Sequence, residues 1–506
     1  SKHMAYLMGI DNGGTFVKAG IVDENGNILA VAKEPVHNLT PQAGFTERDM
    51  DELWSQNAKV IRGAIAKAGI DPKEIRGVSF SGHGKGLYMV DADGRPSYRG
   101  ILSTDTRAWE YVKAWSQDGT KEKVFAKTFQ DILACQPVAL LAWIRDHDPE
   151  AYQRTRWVFS INDYIRFCLT GVANGEYTAL SGGNLVNMTT FQYDKELMAL
   201  YGLEEVYDKL PPLCYSAQIC GGVTEAAAAQ TGLAVGTPCA AGMFDVDACG
   251  LAVGVDNPEA LCMIAGTWSI NEFITRAPIT NGTVSLNSMY CIPGYFLIEE
   301  SSPTSAGNME WFINNLLSYE RDACKAKGGS IYDLTNRWVE ETDPASLKVI
   351  FLPFLNGSNE SAQARGTFIG LTDFNTKAHM LRAVYEGIVF SHMTHVKRLL
   401  KNRPAPKAIR LAGGAANSKV WVQIFADALQ IPIETVACEE QGILGAAIAA
   451  GVGTGVFESY EAASSKAVAV RETVYPRPEM KEIYEEKYAR YRATIDALAN
   501  VWDVFQ

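Results

Sequence analysis

The sequence predicts an α/β protein of two domains, and three features carry that reading. A β-β-β-α-β pattern opens the chain, a second strand-turn-strand pattern begins at Ala260, and 506 residues exceed what one compact unit of roughly 100–200 residues holds. A composition of 47% apolar and 21% charged residues is that of a globular chain and excludes disordered, collagen-like and low-complexity classes.

Taken in order, residues 6–10 form a short apolar run, followed by a Gly-rich turn, a second run at 17–22, a turn at 23–26 and a third run at 28–32. Residues 51–68 place Leu53, Trp54, Ala58, Ile61 and Ile65 at helical spacing, and 75–80 reads as a strand ending at Ser81-Gly82-His83-Gly84. A second hairpin is expected from 260–264 and 268–275 around Ala265-Gly266-Thr267. Because no residue-level repeat links the two modules, they read as a duplication of fold rather than of sequence, with the boundary near Asn257. Further on, 349–352 and 408–411 read as buried strands, 379–400, 419–429 and 442–451 as helices, and 478–502 as a charged amphipathic helix.

Lys and Arg number 46 against 58 Asp and Glu, a net charge of -12 that repels a polyphosphate backbone and argues against a nucleic-acid partner. The longest apolar stretch, 233–255, is broken by Pro238, Asp245 and Asp247, so no run reaches the roughly 20 residues of a membrane span. Ser1 to Met4 read as a tag remnant before a natural start near Met4 or Ala5, and no signal pattern follows. Cytoplasmic residence is the expectation. Ten cysteines without a Cys-x-x-Cys pair or a nearby His at zinc spacing read as buried thiols.

Asp11-Asn12-Gly13-Gly14-Thr15 lies between two expected strands, where glycines let backbone N–H groups approach phosphate oxygens. Thr15 adds a hydroxyl donor, Lys18 adds positive charge nearby, and Asp11 is placed to hold Mg²⁺ through water. The alternative is a plain hairpin whose Asn-Gly-Gly supplies positive φ. Gly266-Thr267 offers a second, weaker phosphate cradle. In Gly242-Met243-Phe244-Asp245-Val246-Asp247, two carboxylates interrupt an apolar segment, which is costly unless they are paired or used. Asp245 is read as a general base for phosphoryl transfer, with Asp247 capping a helix that begins near Ala248; the reverse assignment stays open. Gly413, Gly414 and Asn417, between a strand and a helix, could pass under a flat ligand such as adenosine, or Asn417 could be the N-cap of the helix at Lys419.

Together these segments resemble the FGGY carbohydrate kinases, a family with the actin-like, ribonuclease H-like ATPase fold of two domains around a central cleft. The most specific match is Gly366-Thr367-Phe368-Ile369-Gly370-Leu371, then His379-Met380 and Ala383-Val384-Tyr385-Glu386. A second family signature falls on 135–143, where Leu140 stands in place of the usual lysine. The resemblance implies a sugar- and phosphate-binding domain at 5–256 and a nucleotide-binding domain at 257–506. It also implies ATP and Mg²⁺, a small sugar as partner and a homodimer. By motif, Asp245 is similar to the family's base and Asp11 to its Mg²⁺ position. Gly13, Gly14, Thr15, Lys18, Gly266 and Thr267 correspond to phosphate contacts. Gly307, Asn308, Gly413, Gly414 and Asn417 correspond to the nucleotide side.

Sugar contacts are implied for His83, Gly84 and Lys85, and for Asp105 and Arg107, with Asp245 shared. Lys85 suits a polyhydroxy chain or a sugar carboxylate; Asp105 and Arg107 can fork onto hydroxyls or form a surface ion pair with each other. The Gly-Lys-Gly-Leu, Leu-Ser-Thr-Asp-Thr-Arg, Phe-Asp-Val and Ser-Pro-Thr-Ser segments resemble the L-xylulose and 3-keto-L-gulonate kinase branch. D-xylulose, ribulose, gluconate or a tetritol is the alternative substrate. A non-catalytic or chaperone-type actin-fold ATPase is the alternative of another class, disfavoured because the stretch after Gly451 is too short for a peptide-binding domain.

Overall fold

In a computed structural model that describes residues 4–13, 16–361 and 363–505, the chain divides into two compact units. The first holds residues 1–256 together with 274–298 and 440–468; the second holds 257–273, 299–439 and 469–506. The cut after Asp256 falls beside Asn257, and two later stretches join the first unit.

The first unit is built on a mixed sheet. Its strand order is Ile219–Gly222, Pro238–Ala240, Ile75–Gly82, Tyr6–Asn12, Phe16–Asp23 and Ile28–Pro35, and the two-residue strand Met243–Phe244 also pairs with Ile75–Gly82. Tyr6–Asn12, Pro238–Ala240 and Met243–Phe244 all run parallel to Ile75–Gly82, so their carboxyl ends lie at one edge. The helix Met50–Ala68 covers one face. Asp49 caps its start by accepting from Glu52 N, Gly69 ends it at φ 65°, and Leu53, Ala58, Ile61 and Ala64 supply its buried stripe. The helix Gln441–Thr454 packs on Tyr6–Asn12 and Ile75–Gly82, apolar on every side because the helix Asp245–Ala252 covers it in turn.

The second unit opens on the hairpin of Leu261–Ala265 and Ser269–Thr275, in which Leu261 pairs with Phe273 and Ala265 with Ser269. Leu261–Ala265 runs parallel to Ile409–Ala412, which runs parallel to Ile433–Val436; Val470–Val474 closes that side antiparallel. Each unit therefore starts with a hairpin whose first strand gains a parallel neighbour. In the second unit that neighbour arrives only after several helices, so the opening β-β-β-α-β pattern does not recur as a contiguous block.

Several boundaries differ from the sequence reading. The helix expected near Ala248 starts at Asp245, which places both carboxylates in its first turn rather than ahead of it. Ser418, not Asn417, caps the helix Lys419–Leu429, because its hydroxyl accepts from Trp421 N. The final helix is Lys481–Leu498. Among the described residues no disulfide joins the ten cysteines, but five of them, including Cys135 and Cys168, are only half-buried. Leu140 is fully buried in the helix Pro137–His147, an apolar site where a lysine would carry its charge out of water.

Candidate active site

Three segments far apart in sequence meet at the carboxyl edge of the first unit's sheet. Asp11 and Met243 flank Ser81 from opposite sides, and Asn12 and Phe244 flank Gly82. Asp11, the 81–86 loop and Asp245 therefore occupy one edge, where ligands bind in open parallel sheets. Gly14 and Thr15 lie outside the described residues. Gly13 is half-buried, and its N–H donates to Phe16 O at 3.2 Å.

Burial raises the Asp11 carboxyl from its ordinary 3.8 to about 6; Glu440 adds to the rise, while Lys18 and the Ser81 hydroxyl oppose it. Lys18 pairs across the hairpin with Asp11 and forms an ion pair with Glu440 at 3.0 Å. Among the described residues no group of three or more His, Cys, Asp or Glu is arranged to hold a metal ion. A single half-buried carboxylate suits Mg²⁺ that arrives on phosphates and keeps most of its water. Asp245 is half-buried at the first position of its helix, while Asp247 is completely buried.

Side chains that the sequence reading missed hold the hairpin turn. The Asn12 and Asn57 amides donate to each other at 3.1 and 2.9 Å, and buried Arg48 donates to Gly13 O at 3.2 Å. Asn57 carries a legible signal, since it lies in the otherwise apolar stripe of Met50–Ala68.

Among the residues expected to contact the sugar, His83 is buried with both ring nitrogens engaged, one with Lys85 O at 2.9 Å and the other with Tyr88 Oη at 2.8 Å. Burial first, and then the nearby Arg48 and Lys85 charges, push its pKa down to about 3, so the ring is neutral. Gly84 lies against Phe244, where a Cβ would come within 2.7 Å of the ring. The half-buried Lys85 ammonium sits 4.8 Å from the centroid of that ring and has no carboxylate partner among the described residues. Asp105 and Arg107 pair with each other at 2.8 Å, but in the interior rather than at the surface. Arg107 also reaches Glu47 at 2.9 Å, and Thr46 N donates to Asp105 at 2.8 Å.

In the second unit, three turns converge. A Cβ on Gly413 would lie 2.5 Å from Ala265 O and 3.0 Å from Gly266 N, and one on Gly307 would lie 3.5 Å from Thr267 O. Thr267 and Gly414 are exposed. Asn308 is buried, and its amide donates to Ser305 O at 3.0 Å. Asn417 is exposed and accepts from Arg471 at 3.3 Å. Buried His392 ties this region together, bonding Asn271 Oδ1 on the hairpin at 2.8 Å and Ser305 Oγ at 2.8 Å.

Two α/β units, each with a Gly-rich turn at the carboxyl ends of parallel strands, define the actin-like ATPase class of fold. A ligand-bound xylulose kinase from Lactobacillus acidophilus shares the fold, with a TM-score of 0.88 at 23% identity over 99% of this chain and 100% of that one. Residues 6–252 match the N-terminal domain, and residues 261–454 the C-terminal domain, of the FGGY family of carbohydrate kinases. The chain is 40% identical over 496 residues to a probable L-xylulose kinase from Pasteurella multocida (strain Pm70), covering 98% of this chain and 99% of the relative. It is 39% identical to the L-xylulose/3-keto-L-gulonate kinase of Escherichia coli (strain K12), with 97% of each covered. The protein belongs to the FGGY family of carbohydrate kinases.

Proposed function

We propose that this protein transfers the γ-phosphate of ATP to a terminal hydroxyl of L-xylulose or 3-keto-L-gulonate. The observation that carries this reading is the meeting of Asp11, Lys85 and Asp245 at one edge of the first unit's sheet, in a chain about 40% identical to kinases named for those sugars. Asp245 accepts the hydroxyl proton as the sugar oxygen bonds to the γ-phosphorus and the bond to the ADP oxygen breaks. Its half-exposed position supports that role over Asp247, which no substrate hydroxyl reaches without opening the core.

The Gly13-Gly14-Thr15 turn with Lys18, and the Gly266-Thr267 turn, supply donors for phosphate oxygens. Gly307, Asn308, Gly413, Gly414 and Asn417 form the nucleotide side. Asp11 would hold Mg²⁺ through water, and the ion would offset charge on the phosphates. His83, Gly84 and Lys85 shape the sugar end, and the Asp105 and Arg107 pair braces its wall. Cytoplasmic residence is part of the proposal, since that compartment supplies MgATP.

The test is a coupled ADP-release assay with MgATP and a panel of L-xylulose, 3-keto-L-gulonate, D-xylulose, D- and L-ribulose, gluconate, erythritol and glycerol, compared by kcat/KM. A clear preference for one of the first two is expected. A preference for another sugar discards the specificity and keeps the kinase, whereas ATP turnover indifferent to every sugar discards both.

A further inference from the structure

The segment that delivers Asp245 has little sheet to hold it. Met243–Phe244 is a two-residue strand, and side chains from elsewhere in the first unit fix its backbone. The Arg166 guanidinium donates to Ala241 O at 2.6 Å, and the Asn162 amide donates to Met243 O at 2.8 Å. The last anchor before the base is Thr178 in the helix Tyr177–Gly182, whose Oγ1 accepts from Phe244 N at 2.9 Å.

A threonine hydroxyl has one hydrogen and two lone pairs, so it accepts reliably only when its hydrogen is committed elsewhere. Here it is: Thr178 donates to Glu176 Oε1 at 2.5 Å. Glu176 is completely buried and also accepts from Ala179 N at 3.1 Å and Ser216 Oγ at 3.2 Å. Four of these five groups come from 176–179 and from Ser216, far from Asp245 in sequence, yet the chain of bonds ends on the peptide next to it.

We infer that Thr178 and Glu176 are positioning residues for phosphoryl transfer: Glu176 orients the Thr178 hydroxyl, which holds the Phe244 N–H and so sets the direction of the Asp245 carboxylate. The inference rests on Asp245 acting as the base. A misaimed base lowers turnover without weakening sugar binding, since a displacement of about 1 Å costs on the order of 100-fold in rate.

The experiment compares Thr178→Val, Thr178→Ser and Asp245→Asn with the parent for kcat, KM and melting temperature on the best substrate. Thr178→Val is expected to lower kcat by roughly 10- to 100-fold with KM nearly unchanged, and Thr178→Ser to recover most of the loss. A Thr178→Val variant with kcat within about twofold of the parent overturns the inference, and so does a serine variant as slow as the valine one. If Thr178→Val does not accumulate as folded protein, Thr178→Cys carries the test: its thiol is a poor acceptor for the Phe244 N–H, and an unchanged kcat again overturns the inference. Near-normal turnover in Asp245→Asn refutes the base itself, whereas an inactive Asp245→Asn beside a normal Thr178→Val refutes only the positioning.

Discussion

The carboxylate of Asp11 lies directly against the Cα of Gly442, where a Cβ would come within 2.5 Å of Oδ2 and 2.6 Å of Cγ. Gly442 sits in the first turn of Gln441–Thr454, so the glycine lets a helix start abut the Asp11 carboxylate. Replacing a glycine inside a helix by alanine ordinarily stabilises it by up to about 1 kcal/mol. Gly442→Ala is expected to forfeit that gain in urea unfolding, because the added methyl must push the Asp11 carboxylate aside. Displacement of Asp11 should also lower kcat at least severalfold.

Asp11 itself trades stability for function. Its carboxyl titrates near 3.8 when unfolded and near 6 when folded, so the folded state binds the proton more tightly between those values. The stability it contributes is fully present below about pH 3.8 and is lost as pH rises through about 6. Asp11→Asn has no charge to bury, so it should melt higher than the parent at pH 7.5, with the gap closing toward pH 4, while MgATP-dependent turnover falls. A variant that melts lower at pH 7.5 contradicts the burial argument.

Asp245→Asn keeps the shape of the side chain and removes its basicity. General-base removal costs about 10²- to 10⁴-fold in rate, and kcat is expected to fall in that range with an unchanged melting temperature. Turnover close to that of the parent would rule out Asp245 as the proton acceptor.

What the sequence disclosed was local. The hairpins, the Met50–Ala68 helix and the strand Ile75–Gly82 follow from apolar spacing and Gly-rich turns, and Gly366 to Leu371 followed by Glu386 marked the family by its residue order. Glu386 at the end of that signature is structural, buried in an ion network with Lys487 at 2.8 Å and Arg382 at 3.3 Å. Partnerships across the chain were not legible. Nothing near Asp11 announces Glu440 or Gly442, and nothing near Phe244 announces Thr178, because each pairing is made by sheet order and helix docking rather than by spacing. The Asp105 and Arg107 pair was legible as a pair, but its burial depended on Glu47, Phe45 and Trp143 arriving from other segments.

That burial gives Arg107 a large role in stability. Its guanidinium lies 4.0 Å from the Phe45 ring centroid and 4.9 Å from that of Trp143, while Asp105, Glu47 and the Tyr98 hydroxyl take its donors. Arg107→Ala leaves buried Asp105 without its cation, while Glu47 keeps Arg99 at 2.7 Å, and is expected to cost about 3–5 kcal/mol in urea unfolding. Arg107→Lys should recover only part of this, because an ammonium cannot reproduce the planar fork. A loss below about 1 kcal/mol for the alanine variant would mean that the pair behaves like an exposed one.

Lys85 is expected to separate the two proposed sugars. Its ammonium lies over Phe244, beside the proposed base, with no carboxylate of the described chain to neutralise it. An acid substrate brings that carboxylate; a neutral ketose does not. A hydrogen bond between charged groups is worth about 1.5–3 kcal/mol, so Lys85→Met should lower kcat/KM for 3-keto-L-gulonate by roughly 10- to 100-fold. L-xylulose, which offers only hydroxyls, should lose no more than severalfold. Steady-state kinetics on both sugars with the one variant checks this, and an equal loss on the two would show that Lys85 recognises something they share, such as a hydroxyl or the keto oxygen, rather than the charge that distinguishes them.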